Sequence, residues 1–206
     1  MFDSVIDEGT KKSIEIISSL PFAPSFYLAG GTGCAMHLGH RISHDLDFFF
    51  KERFSHSEIR GTLKEYGHFV VDYSDSQTLV GRFNETKVSF FHYDYLLIET
   101  PQEFFGMNIA SLKDIGCMKI DAISSRGCRR DFVDLYFILK NMNLSLKEFF
   151  PFFEKKYGSE NYNIYHILKS LVYFSDAEKD PELNMLTTYS WDEVKGFFEQ
   201  QIKSFE

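Results

Sequence analysis

The 206-residue chain is poor in the features that announce several common protein classes. Its three cysteines, Cys34, Cys117 and Cys128, are odd in number and show no C-x-x-C spacing, so the reduced thiols of a cytoplasmic protein are expected. No apolar run approaches the length that spans a bilayer, and no membrane association is expected. The N-terminus, MFDSVIDEGTKKS, has acids where a signal peptide has bases and lacks an apolar stretch behind them. Positive charge is short as well. A net charge of −8 argues against coating nucleic acid by bulk electrostatics, while leaving room for a local basic patch. No Ser-His-Asp order and no Cys-His pair rises above chance, so hydrolysis by an activated nucleophile finds no support.

What is present is a generous core and one informative passage. Hydrophobic residues make up 44% of the chain and aromatics 17%, enough for one domain or one with a small appendage. The 23 phenylalanines chiefly fill a core, with a stacking or partner surface as the alternative. Residues 26–50 organise the rest. Phe26-Tyr27-Leu28-Ala29 reads as a buried strand ending in a tight Gly30-Gly31-Thr32 turn, followed by a short helix through Cys34, Ala35 and Leu38 closed by Gly39. Asp45-Leu46-Asp47 then enters the apolar strand Phe48-Phe49-Phe50. Strand alternation sends Asp45 and Asp47 to one face, beside the backbone N–H groups of the glycine turn.

Glycines let backbone approach an anion, and free N–H groups at a helix start carry partial positive charge, so a polyphosphate fits there. Two adjacent carboxylates repel unless a cation lies between them, and hard oxygen donors suit Mg²⁺ bound with substrate phosphates. The plainer alternative makes the acids solvated and the glycines a packing turn; an acid entering an apolar strand weighs against it. Two other metal or nucleotide patterns fall short. Gly31-Thr32-Gly33 resembles a dinucleotide fingerprint, but Met36 stands where the third glycine belongs. His37, His40 and His44 have zinc-like spacing without a cysteine to complete a set, and read as ordinary polar histidines.

Along the remaining chain, helices are predicted over residues 7–20 and 55–66. Runs at 68–73, 78–83 and 87–93 read as a β-meander joining the first two strands, which makes the sheet mixed, and 107–109 as a further short strand. Ser111 caps a helix to about Arg126, with Asp114 suiting its dipole, and Arg129-Arg130-Asp131 opens another to about Asn141. Lys119 lies within the apolar stripe of Ile115, Met118, Ala122 and Ile123, where an ammonium must meet an anion or snorkel to water. Arg126, Arg129 and Arg130 form the densest basic cluster, a candidate for nucleotide or RNA phosphates or else a solvated helix junction. From residue 145 on the pattern is helical, broken at 176–181.

The passage GGTGCAMHLGHRISHDLDFF resembles the first motif of the AbiEii/AbiGii-type nucleotidyltransferase toxins, a branch of the DNA polymerase β-like superfamily. There a glycine turn and short helix precede Arg-x-Ser-x-Asp-x-Asp, matched by Arg41, Ser43, Asp45 and Asp47. A second block, MKIDAISSRGCRRDFVDLYFIL, also resembles the family and contains Lys119, the Arg130-Asp131 pair and Asp134. The resemblance implies an α+β, polymerase β-like nucleotidyltransferase fold, a mixed sheet with flanking helices, divided into a transferase domain (1–143) and a C-terminal helical appendage (144–206). It implies NMP transfer from an NTP with Mg²⁺ or Mn²⁺. Asp45 and Asp47 would hold the metal, and Gly30, Gly31, Thr32, Arg41, Ser43 and Lys119 the nucleotide. Asp131 would assist as a metal-supporting group or base, and Asp134 would serve structurally, as the partner of an arginine.

The position that usually carries a third acid in the superfamily holds Ser89, which leaves the metal count open. An RNA of tRNA-like structure is the first acceptor expected, and an antitoxin protein the first partner. Transfer to a protein hydroxyl, or a catalytically degenerate binding module, are the alternatives.

Overall fold

The computed structural model describes residues 1–205. In chain order its elements are α1 (Glu8–Ser18), β1 (Tyr27–Leu28), α2 (Gly30–Leu38), β2 (Leu46–Phe50), α3 (His56–Tyr66), β3 (Phe69–Ser74), β4 (Thr78–Phe83), β5 (Thr86–His92), β6 (Gln102–Phe104), β7 (Met107–Ile109), α4 (Leu112–Ser125), α5 (Arg129–Met142), α6 (Leu146–Tyr157), α7 (Ile164–Ser170) and α8 (Trp191–Lys203). The strands form one sheet in the order β3-β4-β5-β2-β1-β7-β6. It is mixed, as expected: β2 runs parallel to β5 and β1 to β7, while the meander β3-β4-β5 and the β1/β2 pair are antiparallel. Of the strands, β6 was missed; its residues Gln102 and Glu103 are exposed and lack an apolar alternation to reveal it.

The sheet separates two cores. On one face Phe48 and Phe90, stacked at 5.3 Å between centroids, bury against Ile14 and Ile17 of α1 and Ile59 and Leu63 of α3. On the other face the helices α4, α5, α6 and α8 supply the apolar mass, so residues after 144 share a core with α4 and α5. Phe149 of α6 fits so closely over Gly116 of α4 that a Cβ there would lie 2.5 Å from its ring. Phe132 of α5 meets Phe198 and Trp191 edge-on. Ten of the 23 phenylalanines are buried and most of the others, half-buried, pack against the two cores, so they do chiefly fill core.

The helix starts were legible because their caps are local. Asp7, Ser55, Ser111 and Ser145 each accept from the backbone N–H three residues on. Asp114 does more than favour a dipole. Fully buried, it accepts from Ile98 N (2.9 Å), Ser111 Oγ (2.7 Å) and the ammonium of Lys156 (2.8 Å), itself buried on α6. One carboxylate thus fastens the 96–99 loop and α6 to the start of α4.

Asp114→Ala strands a buried ammonium, a loss of roughly 3–5 kcal/mol by analogy with broken interior pairs. For a chain of this size that lowers Tm by about 10 °C. Thermal unfolding of Asp114→Ala beside the double variant Asp114→Ala/Lys156→Met checks this: the double variant should recover part of the loss, and an unchanged Tm for the single would contradict the role given to Asp114.

Candidate active site

A cleft of about 380 Å³ opens on the α4 side of the sheet, within the size range of small-molecule sites. Asp45 and Asp47 line it, with Asp47 opposite Ser89 in the β2/β5 register. Asp45 is partly exposed; its Oδ2 lies 3.6 Å from Lys87 Nζ and 4.0 Å from Arg130 Nη1. Burial, and then the Asp45 charge, push the Asp47 carboxyl above its ordinary value, with Ser89 and Lys119 pulling the other way. Two hard-oxygen donors, one of them a half-buried acid that lacks a strong counter-charge, form a site a divalent cation would fit.

The glycines differ from expectation. Gly30 and Gly31 are not a turn ahead of the helix but its first two residues, with no side-chain cap at Ala29. Gly30 has φ +64°, and a Cβ on it would come within 2.7 Å of Asp47 Oδ2. A Cβ on Gly31 would strike Arg41 Nη2. The pair makes room for the protein's own carboxylate and guanidinium while leaving the N–H groups of a helix start free.

Thr32 is the predicted residue that the structure does not bring into the cleft. It is buried, hydrogen-bonded to Ser43 Oγ at 2.8 Å and to the Asp45 carbonyl, so it braces the aspartate loop instead of facing a ligand. Arg41 lines the cleft, yet its Nε and Nη2 bond Asp134 at 2.7 and 2.9 Å. Asp134 is the arginine partner expected of it.

Lys119 meets anions that belong to the protein: Asp131 at 2.9 Å and Asp134 at 2.6 Å. Arg126 closes the set, its Nε and Nη2 on Asp131 at 2.9 and 3.0 Å. Burial alone would raise both carboxyls, but the adjoining cations outweigh it: Lys119 and Arg126 hold Asp131 below its ordinary value, and Arg41 and Lys119 hold Asp134 well below. Lys119 is likewise raised by its two acids against the pull of burial. Cys34, His40 and Asp134 come within ligating reach of one another, but Asp134 is already neutralised and burial keeps the Cys34 thiol protonated, so this trio does not suit a cation.

Arg129 leaves the basic cluster altogether. It is buried against Glu182 (2.5 Å) and the Ala177 carbonyl (3.1 Å), on the far side of α5 from the cleft ligands. The three histidines behave as ordinary polar residues with separate partners: Ala110 O for His37, Asp134 for His40 and Asp7 for His44. The loop carrying Arg41 is held from outside by a strap from the C-terminal region. Met185 bridges to Arg41, Ile42 N donates to Asn184 O (2.8 Å) and Leu186 N to His40 O (2.9 Å). Lining residues that the sequence reading missed are Lys87, Asp121 and the aromatic wall of Phe49, Phe91 and Tyr93. For the wall the signal was alternation: Phe49 follows Asp47 by two residues, and Phe91 follows Ser89 by two.

The sequence profile of the nucleotidyl transferase AbiEii toxin family, of type IV toxin–antitoxin systems, matches residues 15–104 and 84–203. The chain belongs to that family. It is by this membership a nucleotidyltransferase, and its α+β fold with a mixed sheet is the one the first motif led us to expect. An uncharacterized protein of Aquifex aeolicus (strain VF5), aq_aa25, is 38% identical over 199 residues, covering 95% of each chain. Among solved structures, JHP933 of Helicobacter pylori aligns with TM-score 0.56 at 16% identity, over 97% of this chain and 92% of that one. The nucleotidyltransferase toxin MenT4 of Mycobacterium tuberculosis H37Rv aligns with TM-score 0.56 at 11% identity, over 94% and 82%. At these identities the two structures speak for the fold alone. No helix among the described residues is long and apolar enough to cross a membrane.

Because folded Asp47 holds its proton more tightly than the unfolded chain, with its ordinary value at 3.8, ionising it works against folding once the pH exceeds its raised value. Asp47→Asn should therefore raise Tm at pH 7 in metal-free buffer, with the gain shrinking towards pH 4. Equal or lower Tm for the variant at pH 7 would refute the electrostatic account.

Proposed function

We propose that the protein transfers an NMP group from an NTP to an acceptor hydroxyl, with an RNA of tRNA-like structure as the first acceptor. We further propose that it acts as the toxin of a pair whose other member is a cognate antitoxin protein. The observation that carries the reading is a meeting of distant parts. Asp45 and Asp47 of the first sequence block share one cleft with Lys119 and Asp131 of the second, beside the uncapped start of α2.

Asp45 and Asp47 would hold Mg²⁺ (or Mn²⁺), which when bound supplies a Lewis acid for phosphoryl oxygens and neutralises the carboxylates. The N–H groups at the start of α2, at Gly30 and Gly31, donate to phosphate oxygens, with the helix dipole adding to the attraction. Lys119, with Arg41 beneath it, contributes a fixed positive charge near the triphosphate. Asp45, the more exposed acid, orients the acceptor hydroxyl. The hydroxyl's oxygen forms the new bond to the α-phosphorus as the bond to pyrophosphate breaks, and the hydroxyl's proton leaves to solvent. Thr32 and Ser43 act indirectly, by fixing the loop that carries Asp45. Lys87 and Arg130, both half-exposed beside Asp45, suit the phosphates of an RNA acceptor.

Ser89 opposite Asp47 favours a second reading, a catalytically degenerate module that binds nucleotide or partner without turnover. Transfer to a protein hydroxyl is the remaining variant of the enzymatic reading. Purified protein incubated with Mg²⁺, each α-labelled NTP in turn and total RNA or cell extract should place label in RNA. Asp45→Ala and Lys119→Ala should reduce that label at least about 100-fold, the scale of losing a group that stabilises transition-state charge. Label in protein would reassign the acceptor, and no label with any NTP would favour the binding module.

A further inference from the structure

Asp131 has the wrong surroundings for a base. Its Oδ1 accepts from Lys119 Nζ at 2.9 Å and Arg126 Nη2 at 3.0 Å, and its Oδ2 from Arg126 Nε at 2.9 Å. It has no exposure to water. A carboxylate so enclosed cannot approach a substrate hydroxyl, but a two-point contact fixes the plane of a guanidinium.

Arg126 is the outward half of this pair. Its side chain lines the cleft and is 52% exposed, although the carboxylate it grips is fully buried. The Nε and Nη2 edge is spent on Asp131, and Nη1, with two N–H donors, has no protein partner among the described residues. Within hydrogen-bonding reach Arg126 meets only Asp131; Asp47 and Asp121, which line the same cleft, act on it at longer range and leave Nη1 free. Lys87 and Arg130, the other half-exposed cations here, lie 3.6 and 4.0 Å from Asp45 and lack any such planar anchor.

We propose that Arg126 contacts the nucleotide's phosphates through Nη1, and that Asp131 is the positioning residue that holds its guanidinium ready. The inference rests on the transferase reading of the cleft. It assigns Asp131 a role other than the base or metal-supporting role that the family resemblance suggested, and it adds Arg126 to the residues that touch substrate. Pre-organisation is the physical gain: the side chain loses its rotamer freedom on folding, before the ligand arrives.

The test is calorimetric titration of the full chain with Mg²⁺ and each α,β-methylene NTP, for wild type, Arg126→Ala, Arg126→Lys, Asp131→Asn and the Arg126→Ala/Asp131→Asn double variant, with Tm measured in parallel. Arg126→Ala should weaken Kd about tenfold or more, the scale of one charge-assisted contact, and Arg126→Lys should recover only part of it. Asp131→Asn should weaken binding too, and the double variant no further than Arg126→Ala, because both changes remove the same contact. A wild-type Kd for Arg126→Ala with a lowered Tm would overturn the proposal, leaving Arg126 a cap on a buried acid. Additive losses in the double variant would overturn the positioning role of Asp131. Should Asp131→Asn fail to fold, the two Arg126 variants still decide the phosphate contact. Absence of binding by the wild type would overturn the transferase reading as well, whereas wild-type binding unaffected by Arg126→Ala sinks this inference alone.

Discussion

Two carboxylates without access to water, Asp131 and Asp134 on α5, hold three cations that come from three separate segments of the chain. Arg41 arrives from the loop after α2, Lys119 from α4 and Arg126 from the α4/α5 junction. Arg41, Lys119 and the two aspartates are buried, and each would be prohibitively expensive to bury alone, so the loop of Arg41, α4 and α5 take their native places together, with the half-exposed Arg126 closing the set. The sheet face, the glycine-started helix and the cleft aspartates Asp45 and Asp47 are all arranged around this cluster. Its value is better stated as specificity than as stability, since well-packed apolar residues could replace such a network at little loss in free energy.

The cluster also explains why the glycines stand where they do. A helix beginning with two residues that lack Cβ atoms leaves a gap on its inner side, and that gap is filled by Asp47 and by the guanidinium of Arg41. The outer side keeps free N–H groups. One sequence feature therefore brings Asp47, the buried charge network and the free helix start together at one end of the cleft.

Much of this was legible in the sequence wherever the determining contacts are local. Helix caps at Asp7, Ser55, Ser111 and Ser145 pair residues three apart, strand alternation set Asp45 and Asp47 on one face, and the meander followed from turn residues between short apolar runs. Lys119 could be recognised as anomalous from periodicity alone, but not what it would meet, because its acids lie on another helix. Thr32 read as a phosphate contact since its hydroxyl adjoins the glycines; its real partners, Ser43 and Asp45, lie 11 and 13 residues on, across a loop whose path only the fold defines. Arg129 looked like its neighbours Arg126 and Arg130, and nothing local shows that a helix start turns it towards Glu182. Asp121 was hidden for a similar reason. Asp121 belongs to the cleft through the packing of α4 across the sheet, which no spacing along the chain encodes, whereas Phe49 and Phe91 alternate with Asp47 and Ser89 and could have been read.

The strap at 183–187 gives the site an order of completion. Thr187 and the carbonyl it reaches on His40 are 147 positions apart, and the intervening chain includes most of the sheet and every helix of the second core except α8. A chain emerging from the ribosome N-terminus first presents its aspartates and glycines early, then waits for nearly its full length before the loop bearing Arg41 gains its outer support. For a member of a toxin family, the interval of synthesis is thus also an interval in which the site is unfinished, and a product broken off before the strap is a chain that never closes it.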